Sequence, residues 1–209
     1  MTSTDPGPTH QPTYPSAPWH LHGQLWLSLF SVRPGSDPDR PDRPSGLYGV
    51  ALVSYEDPSP LVYSELLVAR PVRTQAQITD IWVDSPASRD GGRDLWAIPK
   101  DLATFRRGDR PGALDRTSWD VAVDGRHSLA ARFTDGSRHA PLRTPFAFST
   151  RQVRADGEVV VTGVTGSGRV LPCRSRWDVD PQGPLGWLAG ARPRGSFRVA
   201  DFAMTFGSA

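Results

Sequence analysis

Of the 24 basic side chains in this 209-residue sequence only one is a lysine, Lys100, in the stretch Gly92-Arg93-Asp94-Leu95-Trp96-Ala97-Ile98-Pro99-Lys100-Asp101. Arginine supplies fixed positive charge, but only an amine that can release its proton attacks a carbonyl carbon and forms an imine. A chain that uses arginine at every other cationic position marks Lys100 as its candidate nucleophile. The competing role is a solvated lysine at the end of a strand. Apolar Trp96, Ile98 and Leu102 favour burial instead, and burial disfavours the ammonium and pulls the pKa down from ~10.4. Reaching neutrality takes roughly 3 to 4 units, or about 4 to 5 kcal/mol.

Other constellations are weaker. His20 and His22 share one strand face and form half of a metal site, but no third ligand follows at a completing spacing, so they are expected to line a pocket or lie on the surface, with no metal and no cofactor. Thr162-Gly-Val-Thr-Gly-Ser-Gly-Arg169 lacks the lysine of a phosphate loop and reads as a strand connection. Ser167 and His127 do not sit in a nucleophile elbow. Cys173 is the only cysteine, which excludes an intramolecular disulfide and a cysteine-rich metal site and fits a reducing cytoplasm. Arg93 either holds the Lys100 loop or binds a substrate oxygen.

The elements that must position these residues are mostly strands. Leu25–Val32, Leu47–Tyr55, Leu61–Ala69, Ile78–Val83, Trp119–Val123, Ser128–Phe133, Phe146–Val153, Glu158–Thr162 and Ser196–Phe206 have strand length and strand residues, bordered by Pro or Gly. Asp124-Gly125, Asp135-Gly136 and Asp156-Gly157 read as hairpin turns. Short helices are expected over Pro86–Leu95, entered from Ser85, and over Pro184–Gly190. The pattern is mainly β (α+β), an antiparallel sheet closed into a barrel or folded sandwich. Residues 1–18 and 34–45, rich in Pro, Ser, Thr and Asp, read as a flexible tail and a mobile loop, leaving 19–209 as one domain.

A net charge of +2 and pI near 9 come from arginines that alternate with aspartates. No clustered basic stripe stands out, so no nucleic-acid partner is expected. No apolar run reaches the ~20 residues of a membrane span and the N-terminus has no export signal, so no membrane partner is expected either. Apolar edge strands favour a homo-oligomer.

Tyr63-Ser64-Glu65, Val83-Asp84-Ser85 and Gly92-Arg93-Asp94-Leu95-Trp96-Ala97-Ile98-Pro99-Lys100 together resemble the acetoacetate decarboxylase-like proteins, and the likeness extends weakly through Trp187-Leu-Ala-Gly190 and the Phe197–Phe206 strand. The resemblance implies a cone-shaped, mostly antiparallel β-barrel with a few short helices, and oligomers. It implies that Lys100 forms a Schiff base with a β-keto acid and that Glu65 shuttles protons beside the imine. Tyr63 and Trp96 would belong to the substrate pocket.

The departures are specific. Asp101 stands where the decarboxylase has a second lysine, Gln24 falls near its substrate-binding arginine, and Gly49 or Val50 falls near its second pocket acid. On an extended segment Asp101 and Lys100 point to opposite faces. His20, His22, Gln24 or Arg93 would have to supply the missing polar contacts. The expectation is therefore a lyase-type enzyme of secondary metabolism acting on a small β-keto or polycarbonyl substrate, as decarboxylase, aldolase, dehydratase or cyclase. The alternative is a non-covalent cyclase or ligand-binding barrel that has lost decarboxylation.

Overall fold

The structure, a computed structural model, describes residues 13–137 and 142–208. Its strands are β1 (Trp19–Val32), β2 (Gly46–Glu56), β3 (Tyr63–Val72), β4 (Gln75–Val83), β5 (Lys100–Leu102), β6 (Thr104–Arg110), β7 (Arg116–Val123), β8 (Arg126–Asp135), β9 (Arg143–Val153), β10 (Val159–Val179) and β11 (Gly195–Ser208). One helix, α1 (Pro86–Trp96), separates β4 from β5, and the second expected helix is a 3-10 turn over Gly186–Leu188.

The strands run in the order β11-β1-β2-β3-β4-β9-β10-β8-β7-β6, and β10 also pairs with β11. That extra pairing closes β1, β2, β3, β4, β9, β10 and β11 into a ring. The second half of β10 leaves the ring and carries β8, β7 and β6 as a side sheet. All ladders are antiparallel except β4–β5 and β4–β9. The β4–β9 seam is thin: one registered pair, Ala76 opposite Thr150, with Gln152 Nε2 donating to the Ile78 carbonyl at 3.2 Å and Gln75 Nε2 to Ser149 Oγ at 3.3 Å.

Side-chain alternation gives the shared strands two buried faces. Trp26, Phe30, Tyr48, Leu52, Leu66 and Trp82 pack outward against Trp119, Leu129 and Phe133 of the side sheet. Leu21, Ala51, Val53, Tyr55, Tyr63 and Ile81 point into the ring. The glycine-rich 162–169 stretch, expected to be a connection, lies inside the 21-residue β10. Its glycines are there for close approach: a Cβ on Gly166 would fall 2.5 Å from the Ala203 carbonyl oxygen of β11. Asp124-Gly125 turns a hairpin with both residues at positive φ. Asp135-Gly136 does not, because β8 pairs onward with β10 and the Gly136 N–H donates to the Pro172 carbonyl at 2.7 Å.

Residues 1–12 of the expected tail lie outside the described residues. Beyond them Tyr14 is half-buried, its hydroxyl 2.8 Å from Asp94 Oδ2, and Trp19 Nε1 donates to the Pro15 carbonyl at 2.8 Å. Within 34–45, read from sequence as mobile, Asp37 and Arg43 are buried. Arg43 Nε reaches Asp37 Oδ2 at 2.6 Å, while its other two nitrogens fork onto Asp80 of β4 at 3.0 and 3.1 Å. The guanidinium lies 4.0 Å from the Trp187 ring centroid. Removing Arg43 would leave these buried carboxylates a single cation among the described residues, the exposed Arg40, which pairs with Asp80 and lies 3.5 Å from Asp37. Arg43→Leu is expected to lower the unfolding free energy by about 3 kcal/mol, read as a lower urea midpoint with unchanged slope; an unmoved midpoint would mean the cluster contributes nothing net.

Candidate active site

Helix α1 opens on Ser85, whose hydroxyl accepts from the Ser88 N–H at 3.2 Å, with Pro86 at its first turn. Its buried positions, Ser88, Gly91, Gly92 and Trp96, follow helical spacing and lie against the ring. Two adjacent glycines cost a helix about 1 kcal/mol each relative to alanine. Contact explains both: a Cβ on Gly91 would meet the Trp19 ring at 2.7 Å, and one on Gly92 would meet Lys100 Cδ at 2.7 Å. The helix ends at Ala97, held left-handed at φ 55°, with the Ala97 and Ile98 N–H groups donating back to the Arg93 and Gly92 carbonyls. This turn folds the chain back so that Lys100 crosses Gly92. Arg93 Nε then donates to the Lys100 carbonyl at 2.6 Å, and β5 pairs with β4 at Lys100 and Ile81.

The Lys100 side chain enters the ring and is 4 % exposed. Its Nζ donates to Glu65 Oε2 at 2.8 Å and Ser88 Oγ at 2.9 Å, with Tyr63 OH at 3.4 Å. Glu65, 2 % exposed, receives the Tyr55 hydroxyl on Oε1 at 3.0 Å. Burial, and then the Glu65 charge, push the Tyr55 phenol well above its ordinary range, so it stays protonated and donates. Burial also raises Tyr63, although the Lys100 charge opposes it.

Lys100 departs from the sequence expectation. Burial, the largest single influence, does work against the ammonium. The Glu65 carboxylate and Tyr63 together outweigh it, and the pKa lies above lysine's ordinary value. Lys100 therefore holds its proton more tightly folded than unfolded. The pair stabilises the fold below the ordinary lysine range, and that contribution fades as pH climbs through the raised folded value.

These groups sit at one end of a cavity of about 230 Å³ inside the ring, walled by apolar side chains that include Trp19, Leu21, Ile81, Trp96, Ile98 and Phe206. The structure thus gathers Lys100, Glu65, Tyr63 and Trp96, and leaves His20, His22, Gln24 and Arg93 outside. Parity on β1 is the reason for the first three: Trp19, Leu21, Leu25 and Leu27 take the inner face, so His20, His22 and Gln24 face away. His20 is exposed beside Thr205, His22 borders an outer depression, and Gln24 bonds Asp201 and Arg198. No group of three metal-ligating side chains occurs among the described residues. Arg93 binds backbone, and its guanidinium is 3.6 Å from exposed Asp101, which points away from the Lys100 amine. Ser88 and Tyr55 went unread in the sequence. Tyr55 is legible in retrospect as the β2 partner of Tyr63, whereas no sequence signal marks Ser88.

No family model matches the sequence, and no curated protein sequence matches it. Its fold does match solved structures. The acetoacetate decarboxylase from Legionella pneumophila is similar over 97% of this chain and 90% of that one, with TM-score 0.65 and 14% identity. The enduracididine biosynthesis enzyme MppR complexed with pyruvate is similar over 94% and 90%, with TM-score 0.64 and 17% identity. An acetoacetate decarboxylase-like enzyme from Sphingomonas wittichii is similar over 99% and 97%, with TM-score 0.62 and 13% identity. The chain has the acetoacetate decarboxylase-like fold.

The Gly92 contact makes a prediction that separates stability from chemistry. Gly92→Ala favours the helix by about 1 kcal/mol but drives a methyl into the Lys100 stem. Melting temperature is expected to stay within a few degrees of the parent, while reductive methylation of Lys100 by formaldehyde and cyanoborohydride slows at least tenfold. An unchanged rate would mean that the stem moves aside freely.

Proposed function

We propose that this protein is an enzyme that binds a small, largely apolar carbonyl compound and activates it as a Schiff base on Lys100. The observation that carries the reading is the buried ammonium paired with Glu65 at 2.8 Å at the end of an apolar cavity. Two charges in such a site are held at a large desolvation cost, and moving one proton from Nζ to Oε2 removes both at once. The free amine then adds to the substrate carbonyl. As it adds, one amine proton passes to the carbonyl oxygen; Glu65, now a carboxylic acid, supplies the second, water leaves, and a protonated imine remains with the carboxylate beside it.

The iminium is an electron sink. It accepts the pair released by a neighbouring carbon when CO2 departs, when a carbon–carbon bond breaks, or when Glu65 takes an α-proton to give an enamine. The enamine in turn adds to a second carbonyl. Tyr55 keeps Glu65 oriented through its Oε1 bond, leaving Oε2 to exchange the proton. Among the described residues no arginine lines the cavity to receive a substrate carboxylate. This favours aldol, dehydration or cyclisation chemistry over loss of CO2. The shared fold supports the class, and the matching structures include MppR with the condensation product of pyruvate and imidazole 4-carboxaldehyde, at 18% identity and TM-score 0.62. Such chemistry suits secondary metabolism in a reducing cytoplasm.

One observation favours a second reading. The raised Lys100 pKa, with no second cation lining the cavity among the described residues, suits an ammonium that only donates hydrogen bonds to a carbonyl or enolate, in a non-covalent cyclase or a binding barrel.

Borohydride trapping with β-keto acids, diketones and enals, followed by peptide mass spectrometry, decides between them. A reduced adduct on Lys100, absent from Lys100→Ala along with turnover, is expected. Binding without any adduct would leave the second reading. The pH dependence gives an independent check. Glu65→Gln removes the charge that holds the Lys100 pKa up while burial stays, so the alkaline rise in adduct formation is expected to move to lower pH, with a maximal rate about 10²-fold or more lower. An unmoved profile would separate Glu65 from the amine's titration.

A further inference from the structure

The polar side chains on the cavity wall fall into two places. Tyr55, Tyr63, Glu65 and Lys100 form the hydrogen-bonded group at one end. Thr150 of β9 stands apart from them. It lines the cavity, is 3 % exposed, and its hydroxyl is buried with no hydrogen-bond partner among the described residues. Buried hydroxyls are nearly always satisfied, and a lone unsatisfied one bordering a binding cavity is a group waiting for a partner.

The register gives its position. On β4, Lys100 is paired opposite Ile81 and Thr150 opposite Ala76, five residues further along. At the ordinary rise per strand residue this separates the two rows by about 16 Å. The rest of the wall is mostly apolar, with Leu25, Leu27, Leu67, Ala69, Ile78 and Met204. The volume matches about eight waters of liquid. Spread over that length it takes one slender chain rather than a ring system. Thr150 also forms the one registered β4–β9 pair among the described residues, two positions from Phe148, which lines the cavity and is 47 % exposed.

We propose that Thr150 is a specificity-determining residue: its hydroxyl hydrogen-bonds an oxygen on the far end of an otherwise apolar substrate chain whose carbonyl lies at Lys100. The substrate class is then a slender carbonyl compound with a second oxygen function, separated from the first by an aliphatic spacer. The assignment rests on the Lys100 reading for which end reacts, but the hydrogen bond itself does not require an imine.

The test compares methyl heptyl ketone with its terminal-hydroxyl counterpart on the parent protein, Thr150→Val and Thr150→Ser. Binding is measured by calorimetry and adduct formation by borohydride trapping. The parent is expected to bind the hydroxyl ketone at least tenfold more tightly than the plain ketone. Thr150→Val, which keeps the shape, is expected to lose or reverse that preference while binding the plain ketone as well as the parent does; Thr150→Ser is expected to keep it. Equal binding of the two ketones by the parent, or a preference that survives in Thr150→Val, overturns the proposal. Preference without a trapped adduct supports Thr150 and sinks the imine reading alone.

Discussion

Everything near the cavity is arranged to bury an ammonium and a carboxylate together. Each ion loses several kcal/mol of hydration on entering such a site, and only close, saturated geometry recovers it. Here Lys100 reaches Glu65, Ser88 and Tyr63, and the second oxygen of Glu65 takes the Tyr55 hydroxyl. The local oddities follow from that requirement. Two glycines weaken α1, a left-handed alanine ends it, and an arginine is committed to a backbone carbonyl, all so that the lysine stem can lie across the helix. A helix optimised for its own stability would keep none of these features.

The ring and the side sheet divide the labour. Packing of Trp26, Leu52 and Leu66 against Trp119 and Phe133 gives β1–β3 a solid back. Because that face is filled, the opposite face can leave space without collapse. A cavity of this size would be destabilising in a single core of the same residues. The two-faced burial also explains why β2 reads as a nearly continuous apolar run rather than an alternating one.

Much of this was legible. Strand residues, Asp-Gly turns and borders of Pro and Gly locate nine of the eleven strands among the described residues, and the lone lysine points to the polar end of the cavity. The misses have physical causes. β5 and β6 are too short or too charged to read as strands, with Thr104-Phe-Arg-Arg-Gly-Asp-Arg110 held by pairing to β7 rather than by its own pattern. His20, His22 and Gln24 fall at or near the position that the resemblance gives to a substrate-binding arginine, but strand parity sends them outward. Charge was misleading in a similar way. The sequence shows no basic stripe, yet the register aligns Arg174, Thr134, Arg116 and Arg110 in one cross-strand row and Arg176 and Arg132 in the next. Proximity across a sheet depends on pairing, which a linear reading does not see.

The ring closes late. β11 pairs with β1 through contacts such as Trp19 with Phe206, and with β10 on its other side, and its Met204 and Phe206 complete the cavity wall. Joining positions so far apart in the chain is slow, because a very long loop must close before the contact forms. During synthesis, β1 must therefore wait beside its partner β2, with its outer edge unpaired, until every other strand has emerged. Until then the amine at Lys100 faces water and behaves as an ordinary lysine. The enclosed cavity comes into being only at the last step of folding, so a partly made chain carries the residues of the site without the dry surroundings that pair them.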